Sequence, residues 1–276
     1  MRIAPHPGPI TQNAAVLFPE TRLGLTVIVS NIRPRALPQG AMAGILLFAL
    51  ALVGASVAAR IKLGLGNFYV LKEIGLLTAG AALVARGLMR HHPFEVLGSA
   101  NVATLARGSL IVLLAGLIGE RPTPALILTA TIVATAATLL DALDGWLARR
   151  TAMSSGFGAR FDMETDAVLI LVLSLLAWQF GKAGVWVLLS GLMRYLFVAA
   201  GCVWRALRQP PPPSFRRKTI AVVQMVGLLI VIAPFVPRAL SAPVAAVALI
   251  ALTASFLIDI LWLLGPAPLS TPQKDI

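Results

Sequence analysis

Charge is scarce in this chain of 276 residues: only 12% of them are Asp, Glu, Lys or Arg, against about 25% in ordinary soluble domains. A single cysteine, Cys202, excludes an intramolecular disulfide, and its apolar surroundings in sequence read it as a buried small hydrophobe. Acidic residues are scarcer than basic ones, 11 against 23, for a net charge of +12. Such an excess invites nucleic acid as a partner, but its distribution along the chain points to membrane topology instead. The room left by charge is filled with apolar residues, 58% of the chain, and the mean hydropathy is +0.87. These values describe an integral membrane protein.

A helix needs roughly 20 apolar residues to cross a hydrocarbon core of about 30 Å. Eight stretches qualify, near 41–59, 68–85, 103–119, 124–143, 166–181, 184–203, 219–236 and 242–264. The second carries Lys72 and Glu73, adjacent and therefore about 100° apart on a helix, and both are expected to snorkel to the nearby interface. With the N-terminus in the cytoplasm, sixteen of the Arg and Lys residues fall inside and five (Arg60, Lys62, Arg121, Lys182, Arg238) outside. Four regions follow: a proline-punctuated cytoplasmic extension at 1–38, a transmembrane hairpin at 39–90, a six-helix unit at 95–266 and a tail at 267–276. No signal peptide is expected. His91 and His92, beside Pro93, read as an interfacial helix end rather than as metal ligands.

One segment breaks the apolar pattern. "DALDGWLARRTAMSSGFGARFDMETD", residues 141–166, places four aspartates, a glutamate and three arginines between two long apolar runs, on the cytoplasmic side of this topology. Asp141 and Asp144 share a helix face that continues through Gly145 and Ala148, and Gly158, Asp162 and Asp166 are spaced by four on the next helix. Two helices joined by a short loop run antiparallel, so the four carboxylates converge. Like charges held that close require cations, and all-oxygen ligands favour hard ions, Mg²⁺ or Mn²⁺, one ion or two. Gly145, Ala148 and Gly158 withhold side chains where a bulky ligand meets the backbone, and Arg149 stands next to them, placed to meet phosphate. The structural alternative is that Asp162, Glu164 and Asp166 merely complement a helix dipole, with Arg149, Arg150 and Arg160 as surface partners.

Written as D-x-x-D-G-x-x-A-R, eight residues, then G-x-x-x-D-x-x-x-D, the segment resembles the motif of the CDP-alcohol phosphotransferases at every fixed position: Asp141, Asp144, Gly145, Ala148, Arg149, Gly158, Asp162 and Asp166. "ANVATLAR" resembles that family's P-N-x-x-T-x-x-R entry to the first core helix, with Asn101, Thr104 and Arg107 in place and Ala100 where proline is usual. "RRKTIAVVQ" resembles its K-T-x-x-Q segment, with Lys218 and Thr219 in place and Gln224 two positions late. The resemblance covers about 95–266 and implies an all-α integral membrane protein: a six-helix core plus two extra N-terminal transmembrane helices.

The resemblance further implies that a CDP-linked lipid, typically CDP-diacylglycerol, is attacked by the hydroxyl of a small acceptor alcohol, with release of CMP. It implies Asp141, Asp144 and Asp162 as metal ligands, Asp166 as catalytic base and further ligand, and Gly145, Ala148, Arg149 and Gly158, helped by Asn101 and Thr104, around the nucleotide. A homodimer among membrane lipids, with no nucleic-acid partner, is expected, in a bacterial inner membrane with the active site on the cytoplasmic side. Arg194, a cation inside an apolar span, and Lys218 point to an anionic acceptor such as glycerol 3-phosphate or inositol phosphate; the alternative is that Arg194 snorkels or pairs with Asp259. Glu164 holds no motif position. Two competing functions are a cation transporter using intramembrane acids and an inactive scaffold relative; the acids cluster at one interface, against the first, and all four aspartates are present, against the second.

Overall fold

A computed structural model of the chain describes residues 39–91, 99–151, 156–209 and 214–265, with side chains at 47–82, 106–143, 162–209 and 214–265. The N-terminal extension, His92, the segment leading to Ser99, residues 152–155, the four prolines at 210–213 and the C-terminal tail lie outside the described residues. Those described form eight α-helices and no strand: α1 Gln39–Leu63, α2 Tyr69–His91, α3 Ser99–Gly116, α4 Pro124–Thr151, α5 Gly156–Gln179, α6 Leu188–Val203, α7 Phe215–Ile232 and α8 Arg238–Leu264. Pro124–Leu143, Val185–Val203 and Arg238–Leu264 are each long and apolar enough to cross a bilayer. Helix is the expected choice there, because a lipid-exposed backbone must satisfy its N–H and C=O groups within its own segment. Thr129, Thr131, Thr135 and Thr138 follow the same logic, each hydroxyl donating to the carbonyl four residues earlier at 2.8–2.9 Å.

Large apolar side chains cover the outside of the bundle: Leu50, Leu128, Ile132, Leu139, Val247 and Leu261 are all at least half exposed. Water would penalise such a surface and lipid does not. Cys202 belongs to it, exposed on α6 rather than buried as expected; an apolar span has no need to turn its thiol inward when the surroundings are themselves apolar. Because lipid tails are as apolar as leucine, helices associate through close packing of small residues and polar contacts. Ala130, Ala134 and Ala137 form a fully buried stripe along α4, which packs on α3 and α7. Gly191 on α6 lies against the backbone of Leu171 on α5, and Gly116 on α3 lies against the Glu73 carboxylate on α2.

One end of the bundle is tied by polar contacts between helix termini. Lys72 Nζ donates to Ile118 O at 3.0 Å and to Glu120 Oε1 at 2.8 Å, and the Gly66 N–H donates to Glu120 Oε2 at 3.0 Å, so the α1–α2 turn is held to the α3–α4 turn. Gln179 Nε2 donates to Leu117 O at 3.1 Å and Glu120 O at 2.9 Å, and Lys182 Nζ reaches Ala233 O at 2.9 Å. The turns permit this: Gly64 and Gly181 take φ of 62° and 66° just past α1 and α5, a left-handed conformation that only glycine adopts cheaply. Thr123 starts α4, its hydroxyl accepting from the Leu126 N–H at 3.2 Å, with Pro124 at the first helical position. Lys72 is thus partly exposed and tied to the α3–α4 turn, whereas Glu73 does not reach the surface: it is 2% exposed, packed against α3, with neither carboxylate oxygen hydrogen-bonded. Adjacent positions face different neighbours, and the one turned toward α3 is enclosed.

Candidate active site

At the opposite ends of α3, α4 and α5, three carboxylates surround one guanidinium. α4 runs on from its apolar stretch to Thr151 and α5 begins at Gly156, so the acidic motif is carried on two helices consecutive in the chain. α3 packs against both helices, and Asp141 of α4 comes together there with Asp162 and Asp166 of α5, which are four apart and share one face. One carboxylate oxygen from each lies within 4.8 Å of the others.

Arg107 of α3 fills the centre. Its side chain is fully buried; Nη1 donates to Asp141 Oδ1, and Nη2 donates to Asp162 Oδ1 at 2.6 Å and to the Asp162 carbonyl at 3.3 Å. Nη2 also stands 3.4 Å from Asp166 Oδ1. Burying a guanidinium without partners is costly, and three carboxylates repay that cost here. The balance is incomplete on the acidic side, however, since one unit positive charge faces three carboxylates. Asp166 Oδ1 is buried and accepts no hydrogen bond. An all-oxygen donor set, an excess of negative charge and an orphaned carboxylate oxygen together suit a hard divalent cation.

This cluster bears on the two readings of the acidic segment. Helix-dipole partners would face solvent separately, whereas Asp141, Asp162 and Asp166 converge from two helices on a point shared with a third. The match to a family model agrees: residues 97–260 fit the model described as CDP-alcohol phosphatidyltransferase. The chain belongs to the CDP-alcohol phosphatidyltransferase family. No curated protein and no solved structure matches it. Membership and the apolar helices together make it an integral membrane protein of a transferase family that uses CDP-alcohol substrates.

Of the other residues singled out from the transferase motif, Asp144, Gly145, Ala148 and Arg149 lie on α4, Gly158 on α5, and Asn101 and Thr104 on α3; their side-chain surroundings lie outside the described residues. Arg194 of α6 bonds through Nη2 to Glu164 of α5, a partnership that neither the snorkelling nor the Asp259 alternative anticipates. Asp259 of α8 is instead taken by α7: Arg216 Nη2 donates to its Oδ1 at 2.5 Å and Arg217 Nη1 stands 3.6 Å from its Oδ2. Arg216 also donates to the Ser255 carbonyl at 2.7 Å and to its hydroxyl. Lys218 is exposed on α7, and Gln224, two positions late for the family segment, is fully buried on the same helix with neither amide atom hydrogen-bonded.

Sequence reasoning passed over Arg107 as a site residue. It stood in the entry motif and was counted among cytoplasmic cations, but nothing in the local pattern says that its side chain turns inward. The available signal was chemical: a cluster of carboxylates near a span boundary calls for a cation on a neighbouring helix, and Arg107 lies one turn into α3 from Thr104.

Proposed function

We propose that this protein is a phospholipid-synthesising phosphotransferase that moves a phosphatidyl group from a CDP-alcohol, such as CDP-diacylglycerol, to a small acceptor alcohol and releases CMP. The observation that carries the reading is the convergence of Asp141, Asp162 and Asp166 around the buried Arg107 within the region matched to the family. The architecture we infer is a six-helix catalytic core at 95–266 preceded by an additional transmembrane hairpin at 39–90 and a cytoplasmic extension at 1–38. The basic-residue asymmetry supports a site on the cytoplasmic side of the membrane, and a bacterial inner membrane is the location we expect.

Asp141, Asp144, Asp162 and Asp166 would hold Mg²⁺ or Mn²⁺. Bound there, a divalent ion neutralises the diphosphate and the departing nucleotide. Gly145, Ala148 and Gly158 leave space for the cytidine diphosphate, and Arg149, Asn101 and Thr104 provide its polar contacts. The acceptor oxygen bonds to the phosphatidyl phosphorus as the bond to CMP breaks, and a carboxylate oxygen of Asp166 takes the hydroxyl proton. Aspartate is a weak base for an alcohol, so that transfer comes late, as bonding to phosphorus acidifies the hydroxyl.

Arg194 and Lys218 mark the acceptor side and favour an anionic alcohol, glycerol 3-phosphate or inositol phosphate. The Arg194–Glu164 pair supports this, because both side chains remain partly exposed, at 33% and 56%; such pairs contribute little to stability, so a substrate phosphate can take the place of Glu164. A transporter is not favoured: among the described residues Glu73 lies against Gly116 and Asp259 against Arg216 and Arg217, each apart from the triad. A homodimer is the assembly we expect.

The test is CMP release from CDP-diacylglycerol by the purified protein in detergent with Mg²⁺ or Mn²⁺, across glycerol 3-phosphate, inositol phosphate, inositol, serine and no acceptor. Release that requires both a metal and one acceptor is the expected result. No release with any acceptor and any metal would overturn the assignment to CDP-diacylglycerol chemistry.

A further inference from the structure

Arg107 is unexplained by the chemistry above. A guanidinium offers only donors, and the lone pairs to which Arg107 donates belong to the carboxylates assigned to the metal. Its grip is also uneven: Nη1 and Nη2 are engaged, Asp166 Oδ1 is met only at 3.4 Å, and Nε is buried without a hydrogen-bond partner. An arginine serving only to join helices would be expected to satisfy its Nε as well. Nor can a guanidinium and a divalent ion readily share the same carboxylate oxygens, since like charges at such close range repel.

Resting on the reading of the triad as metal ligands, we propose that Arg107 is an internal counter-ion: it neutralises Asp141, Asp162 and Asp166 in the metal-free protein and withdraws from at least one of them when a divalent ion binds. Two consequences follow from charge alone. Arg107 keeps the three carboxylates from repelling one another before metal arrives, and it competes with the metal, so it sets how much free ion the enzyme needs. A withdrawn Arg107 stays beside the site as a cation, available to an anionic ligand.

The experiment measures Mg²⁺ and Mn²⁺ binding to the full-length protein in detergent, without substrates, by calorimetry and by the metal-induced shift in unfolding temperature, for wild type and Arg107→Met. The variant should unfold at a lower temperature without metal, gain more from metal than wild type does, and bind the ion at least about tenfold more tightly, a change of about 1.4 kcal/mol. A purely structural arginine gives a different result: equal loss of stability with and without metal and unchanged affinity, which overturns the proposal. A variant that folds only with metal supports it. Should Arg107→Met not fold at all, wild-type protein carrying isotope-labelled arginine decides, with the Arg107 resonance assigned from its absence in Arg107→Lys. Slowed guanidinium rotation that is released on saturation with Mg²⁺ supports withdrawal, and an unchanged signal refutes it. Absence of any metal response in wild type would refute the metal reading of the triad itself, and this inference with it.

Discussion

Gly191 offers a direct test of how the acceptor side of the site is held. It lies on α6 three residues before Arg194, and a Cβ built there would stand 2.8 Å from Leu171 Cδ1, 2.9 Å from Leu171 Cβ and closer still to Leu171 Cα. Carbon atoms in good contact are about 3.5–4.0 Å apart, so relief requires roughly 1 Å of movement. The Leu171 side chain can rotate, but its Cα cannot, and the two helices must therefore part. Gly191→Val should cost about 3 kcal/mol, the upper end for overpacking a tight contact. Gly75→Val is the matched control: it carries the same change in helix propensity on α2, and nothing lies within 4 Å of a Cβ there. Comparing the two cancels the intrinsic backbone effects and leaves packing. By thermal unfolding in detergent, Gly191→Val should melt roughly 6–12 °C below Gly75→Val, at about 2–4 °C per kcal/mol. Because α6 carries Arg194, the KM for the acceptor should rise more than that for the CDP-alcohol. Equal melting temperatures for the two variants would refute the close helix crossing and the positioning role drawn from it.

The chemistry and the polar end of the bundle supply further expectations. Asp166→Asn should abolish turnover while leaving CDP binding within a few-fold of wild type, measured by calorimetry; retained turnover would remove Asp166 as the base. Arg194→Ala should raise the acceptor KM at least about tenfold, a loss of about 1.4 kcal/mol, with affinity for the CDP-alcohol unchanged, and if neither constant moves the anion-site idea fails. Burial alone would raise the Glu120 carboxyl, but the Lys72 ammonium and the Gly66 N–H outweigh it and hold the group below its ordinary value of 4.5. A depressed carboxyl stabilises the fold fully above the unfolded value and loses that effect as pH falls through the folded one. Glu120→Gln should therefore melt below wild type at pH 7, by an amount under about 1 kcal/mol for a partly exposed pair, and the gap should close as pH is lowered past 4.5. A gap that stays constant with pH would remove the ionised carboxylate as its cause.

Much of the site was legible before any fold was known. Helical periodicity alone puts Asp141 and Asp144 on one stripe and Gly158, Asp162 and Asp166 on another, and of these Asp141, Asp162 and Asp166 come together in the fold. Helix itself follows from length and hydropathy, because a backbone in lipid has almost no other way to satisfy its hydrogen bonds. What the sequence left open is which way each helix turns. Hydropathy cannot supply that in a bilayer, where an apolar face gains no more from a neighbouring helix than from lipid.

The tertiary structure settles this through small residues and polar contacts. The stripe of Ala130, Ala134 and Ala137 brings α4 close to its neighbours, and Gly191 does the same for α6 on α5. Those approaches, together with the ties at Lys72 and Gln179, determine where the polar side chains end. Arg107 turns into the triad, Arg194 meets Glu164 rather than Asp259, Glu73 is enclosed rather than snorkelling, and Cys202 faces outward. The sequence by itself determined the helices, the carboxylate spacing and the class of chemistry, since these depend on hydropathy and residue spacing along single helices. The partner of each intramembrane charge depends on the relative rotation of helices distant in the chain, and only close packing between them decides it.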